Sequence, residues 1–160
     1  MDLAQHDGHE DSEDEQTISL HTASEEGKVD MVKTLLDRGT NINSQNASYQ
    51  TLLHIAAFHG NVEVIGLLIK WGTEVDLHDK YGWTPLHRAS QSGSVEISQM
   101  LIDHGANLNA RLYNYWTLIH FSAYNGHLRV VELLLECGTD TYSLNDDGQT
   151  AYQLLLQQGH

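Results

Sequence analysis

The sequence predicts an all-α solenoid: about four helix-turn-helix units and a C-terminal half unit, stacked side by side. Three observations predict it. His21, His54, His87 and His120 each stand 33 residues apart. Gly27, Gly60, Gly93, Gly126 and Gly159 keep the same period, as do Gly39, Gly72, Gly105 and Gly138. Thr51, Thr84, Thr117 and Thr150 repeat in register with both series. A fixed period of this length marks one supersecondary unit that buries its apolar face only against copies of itself.

The elements follow in chain order. Residues 1–16 carry seven acids (Asp2, Asp7, Glu10, Asp11, Glu13, Asp14 and Glu15) and no Lys or Arg. This acidic tail is expected to lack secondary structure. The repeat domain is expected over 17–160, in units of about 17–45, 46–78, 79–111, 112–144 and 145–160. The first unit opens near Thr17 with Ile18-Ser19-Leu20-His21 and has no turn before it, as a capping unit would. The second carries Thr51-Leu52-Leu53-His54-Ile55-Ala56. The third is the clearest. Asp79-Lys80-Tyr81-Gly82 is a turn sequence. Thr84 offers a hydroxyl N-cap, and Pro85 follows where its missing N–H costs nothing. A short helix over Leu86 to Ser92 stops at Gly93, and a second helix carries Val95, Ile97, Met100, Leu101 and Ile102 before Gly105. The fourth unit repeats Thr117-Leu118-Ile119-His120-Phe121-Ser122. The last, from Asp146-Asp147-Gly148-Gln149-Thr150-Ala151, has a first helix and no second. It is expected to be either a C-terminal cap or the cut end of a longer parent. Tyr49 and Tyr115 stand where the other turns carry Gly82 and Gly148. A bulky residue resists positive φ, so these two turns are expected to differ in backbone shape.

Thr84-Pro85-Leu86-His87-Arg88-Ala89 matches the Thr-Pro-Leu-His-x-Ala signature of ankyrin repeats, and the units at Thr51 and Thr117 are weaker copies. The chain therefore resembles the ankyrin repeat proteins over about residues 17–160. That resemblance implies β-turn or hairpin fingers between helix pairs, a structural role for the periodic histidines, and protein binding without catalysis. The partner stays open, because a fold does not specify its ligand. An adaptor or recognition domain is the first expectation. An inhibitor that masks a basic partner such as a transcription factor, or the targeting domain of a larger enzyme or channel, are the alternatives.

Composition narrows the classes. The formal charge is -14, and residues beyond the tail still hold 15 acids against 8 bases. Such a surface repels phosphate backbones, so no direct nucleic-acid binding is expected. No apolar run approaches membrane-spanning length and the N-terminus has no signal pattern. Cys137 is the single cysteine, which excludes an internal disulfide and points to the cytoplasm or nucleus. The periodic histidines repeat too far apart to share one metal. No metal site, cofactor, nucleophile motif or phosphate loop is expected. A monomer is expected.

The aromatics are the strongest functional signal. Trp83 and Trp116 precede the capping threonines, and Tyr81 and Tyr113 stand on the same turns. Phe58 and Tyr124 each lie two residues before the glycine that ends a first helix, and Trp71 lies directly before Gly72. By the resemblance, turn tips and first-helix ends line a concave face. Aromatic rings suit a contact surface because each buries much area at little entropic cost. Phe58, Trp71, Tyr81, Trp83, Arg88, Tyr113, Trp116 and Tyr124 are the candidate partner-binding residues, with His59, Arg111 and Asn125 as polar neighbours. Truncating Trp83 or Trp116 is expected to weaken the partner and leave the fold intact. Ser12, among acids, is a candidate kinase site. The resemblance also implies targets for an asparaginyl hydroxylase: Leu68, Glu74 and Asp76 fit its spacing with Asp for Asn, and Leu101 and Asn109 fit in part.

Overall fold

The computed structural model describes residues 10–159. Nine α-helices occur among them: α1 (Glu10–Glu25), α2 (Val29–Asp37), α3 (Leu52–His59), α4 (Val62–Lys70), α5 (Pro85–Ser92), α6 (Val95–Asp103), α7 (Leu118–Tyr124), α8 (Leu128–Glu136) and α9 (Ala151–Gln157). They form two rows. The odd-numbered helices pack on one another in sequence, and so do α2, α4, α6 and α8. Within the first row, Ala56, Ala57, Ala89, Ser90, Ser122 and Ala123 are buried, and their small side chains let neighbouring helices approach. The second row presents Val32, Val64, Ile65, Leu68, Ile97, Leu101, Val130 and Leu134 inward, all wholly buried. In each pair the apolar residues recur at helical spacing, so one face of each helix faces the core.

Three of the odd helices, α3, α5 and α7, start on the same device. Thr51, Thr84 and Thr117 cap α3, α5 and α7, and the hydroxyl of each lies 2.8 Å from Nδ1 of the histidine three residues on. The backbone N–H of each threonine also donates to that Nδ1, which must therefore be unprotonated, so the proton of the neutral ring sits on Nε2. Nε2 then donates across to the next unit: His54 to the Trp83 carbonyl at 2.8 Å, His120 to the Gln149 carbonyl at 3.1 Å. Nε2 of His21 lies 3.2 Å from the Gln50 carbonyl of the next unit, but its Nδ1 faces the Thr17 carbonyl at 2.8 Å instead of a capping threonine. These rings are girders between units, and no metal-binding cluster of His, Cys, Asp or Glu forms among the described residues. Burial holds the His54 ring's pKa down to about 4, that of His87 to about 3, and lowers that of His120.

Two expectations are corrected. Helix α1 begins at Glu10, inside the segment expected to lack secondary structure. Its sequence from Glu10 to Glu25 contains neither Gly nor Pro. Acids at a helix N-terminus also meet the positive end of its dipole, so charge there favours the helix it was expected to prevent. The remainder of the tail, with the side chain of Ser12, lies outside the described residues. The turns at Tyr49 and Tyr115 are not different in shape. Their φ values, 58° and 60°, are left-handed like those of Gly82 at 82° and Gly148 at 69°. All four turns close with the same two backbone bonds, for example Tyr49 N–H to the Asn46 carbonyl and Asn46 N–H to the Gln50 carbonyl. The stack imposes the backbone, and the tyrosines bear the strain.

Candidate functional site

The turns 46–50, 79–83, 112–116 and 145–149 project beside the odd helices, each preceding the capping threonine. Three kinds of bond tie a turn in place. The first is an Asx clip: Asp79 Oδ1 accepts from the N–H groups of Tyr81 at 2.8 Å and Trp83 at 3.0 Å, and Asn46 and Asn145 act similarly. The second is the histidine girder. The third joins neighbouring tips: Lys80 N–H donates to the Ser48 carbonyl at 3.0 Å and Asp146 N–H to the Asn114 carbonyl at 3.1 Å.

The turn 112–116 lacks all three toward its predecessor. Leu112 replaces the clipping Asp or Asn. Nε2 of His87, fully buried, has no hydrogen-bond partner where the repeat would place the Trp116 carbonyl. Tyr113 N–H makes no bond to the Tyr81 carbonyl among the described residues. A ring occupies the space between the two turns. Phe121, buried, stands 4.6 Å from Trp83 and 4.9 Å from Trp116, centroid to centroid. Its equivalents are Ile55 and Arg88. The phenyl ring stands tilted at 43° and 44° to the two indoles, wedged between the turns at the junction where their bond is absent.

A groove of about 610 Å³ opens there, lined by Tyr81, Trp83, Leu112, Tyr113, Trp116, Phe121 and Tyr124 with Gln91, Asn114 and Asn125. Tyr113 is 87% exposed, Tyr81 58% and Tyr124 45%. Trp116 meets Tyr124 edge-on at 5.5 Å. The Asn125 amide donates to the Phe121 carbonyl at 2.8 Å, which holds the end of α7 against this face. Wet, amphipathic rings around an apolar floor are the composition of a contact surface.

Five of the eight candidate residues are thus brought together: Tyr81, Trp83, Tyr113, Trp116 and Tyr124. Phe58 lies one helix away on α3, with the Arg88 guanidinium 6.0 Å from its ring, and does not line the groove. Arg88 is not a free specificity contact. It pairs with Asp79 at 2.8 Å, its side chain is 15% exposed, and it stacks 4.2 Å from the Trp83 ring. The low dielectric around Asp79 makes this an internal brace for the turn. Trp71 is also misplaced by the sequence reading: it is the C-cap of α4, in the other row of helices, and does not line the groove. Arg111 turns away to the Ser143 hydroxyl, and His59 faces Glu25 at 3.7 Å. Trp83 and Trp116 are partly buried, because both indoles pack on Phe121. Alanine at either position removes core packing along with contact surface, contrary to the expectation of an intact fold.

Phe121, Leu112, Gln91 and Asn114 were missed. Phe121 occupies the variable position of the repeat signature, the same position as Arg88, and that equivalence was the available signal. Of the modification candidates, the Asp76 carboxylate accepts from Asn107 N–H at 2.9 Å, while Asn109 is exposed.

A family model described as ankyrin repeats in three copies matches residues 20–112, and another described as ankyrin repeats in many copies matches residues 101–155. No curated protein sequence matches the chain.

Proposed function

The chain belongs to the ankyrin repeat family, whose repeats are protein–protein interaction modules typically without catalysis, and from that premise we propose that it is an intracellular recognition domain. It holds a protein partner in the groove between the turns 79–83 and 112–116. The observation that carries this reading is the parting of those two turns. At one junction of the stack the histidine girder and the tip-to-tip bond are absent, and six aromatic side chains line the resulting opening. A preformed groove of this kind binds with little ordering cost.

Tyr113 and Tyr124 test it better than the tryptophans, since both are exposed and neither carries the stack. Tyr113→Ala with Tyr124→Ala should weaken an affinity-purified partner by at least about thirtyfold, roughly 2 kcal/mol as for a central anchor. Thermal unfolding should be unchanged. Glu63→Ala and Glu96→Ala, exposed on the first turns of α4 and α6, should bind as the parent does. Normal binding by the double tyrosine variant, or loss with the glutamate variants, removes the assignment.

A further inference from the structure

The stack contains its own example of what the groove accepts. The Arg88 guanidinium lies over the Trp83 ring, 4.2 Å from its centroid, and pairs with the Asp79 carboxylate at 2.8 Å. Cation, indole face and carboxylate form one assembly inside a single unit. One repeat later the indole is kept as Trp116, but the cation is replaced by Phe121 and the carboxylate by Leu112. Trp116 and Tyr124 therefore present their rings to the groove with no Lys or Arg of the described residues on them. Carboxylates return on the next turn. Asp146 and Asp147 are exposed at its tip, and Asp146 N–H is bonded at 3.1 Å to the carbonyl of Asn114, a groove residue. Neither carboxylate forms an ion pair among the described residues.

The charged groups around the opening are few. Lys80 stands on the opposite rim with its ammonium 5.0 Å from the Tyr81 ring, and Arg88 is already neutralised by Asp79. The turn that follows Trp116, hydrogen-bonded to the groove residue Asn114, carries an acidic tip just beyond the groove lining, on a chain of net charge -14. We propose that the groove takes the cationic side chain of a basic protein segment, an Arg or Lys laid against Trp116 and Tyr124 and balanced by Asp146 and Asp147. This rests on the groove being the partner site. The attraction has two parts: the ring quadrupoles, strongest for indole, and the unpaired carboxylates, which also speed encounter. The partner supplies in trans what Arg88 supplies in cis one unit earlier.

The full chain is titrated with five pools of short peptides, degenerate except for a central Arg, Lys, Gln, Glu or Pro. Binding is read from the Trp116 indole N–H and the Tyr113 and Tyr124 ring signals by NMR, at low and high salt. The Arg and Lys pools should shift these signals, and their affinity should fall as salt rises. Asp146→Asn with Asp147→Asn should lower that affinity about tenfold while the spectrum of the free protein is kept. Equal binding of the Gln pool, stronger binding of the Pro or Glu pool, or no effect of the Asn variants overturns the cationic class but leaves the groove as a site. If no pool shifts the groove signals, the cationic proposal is overturned. The tyrosine double variant, assayed against the purified partner, then decides the groove separately.

Discussion

At the scale of single residues, the repeat forces side chains into backbone geometry they do not favour. Tyr49 and Tyr115 adopt left-handed φ in turns closed by the same two backbone bonds as the glycine turns, and each of these turns is hydrogen-bonded to the turn that follows it. A side chain in that region costs roughly 1–2 kcal/mol, of which glycine's greater unfolded-state freedom would return about 0.5–1 kcal/mol in the other direction. Both rings are more than half exposed, so little packing is lost with them. Tyr49→Gly and Tyr115→Gly should each stabilise the chain by about 0.5–1 kcal/mol, read as a higher urea midpoint at unchanged slope. A lower midpoint would mean that these tyrosines hold the turns together through contacts that outweigh their strain. His87 is the other residue at odds with its position: it keeps the Thr84 cap and has lost the girder that His54 and His120 keep.

At the scale of elements, one turn differs from its fellows. The turn 112–116 has Leu112 instead of a clipping residue and no bond from His87. Phe121 on α7 accounts for the separation, since it lies between the indoles of the two turns. Phe121→Ile places there the residue found one repeat before Arg88. It should let the turn fall back toward α5, with His87 Nε2 reaching the Trp116 carbonyl at ordinary hydrogen-bond length. Amide exchange at residues 112–116 should slow, and partner affinity should fall as the groove closes. Unchanged exchange and an open groove in a crystal structure of that variant would assign the separation to Leu112 instead. The repeat signature made the helices and their pairing legible, because capping, helix length and small-residue positions are local properties of thirty-odd consecutive residues. It did not reveal Phe121, because a residue at a variable position takes its meaning from the indoles of two turns distant in sequence.

At the scale of the whole molecule, stability depends on histidines kept neutral in the interior. In the unfolded chain these rings titrate near 6.5, whereas burial lowers His54 to about 4 and His87 to about 3. As pH falls through 6.5 the unfolded state takes up protons first, so the folded state loses its advantage. Their contribution is complete above about pH 6.5 and declines as pH falls toward 4 and then 3. Urea midpoints measured across this range should drop steeply below pH 6.5, and the drop should be smaller in His54→Gln, whose side chain titrates in neither state. An identical pH profile for that variant would place the sensitive groups elsewhere. The last helix, α9, bears a Gln at the position of the capping histidine: Gln153 accepts from Thr150 N–H at 2.8 Å, which satisfies the cap with no titratable ring. The stack therefore carries its acid sensitivity in its middle units.

The 33-residue period, the Thr–His caps and the alternation of small and large apolar residues by themselves determined the helices, their order and their pairing. Each of these depends on neighbours within a unit or on the same position one unit away. The start of α1 was misread because acidic composition was weighed without its place at a helix N-terminus. Which aromatics meet, and which of them are free, only the tertiary structure decided. Trp71 and Trp83 are both exposed-looking residues beside a helix end in the sequence. One caps an outer helix and the other packs between Arg88 and Phe121. The groove itself arises from bonds that are missing at one junction, and a missing bond between residues 29 or more apart leaves no mark on the period. Its shape is set by how one phenyl ring fits between two indoles, and packing in three dimensions alone decides that.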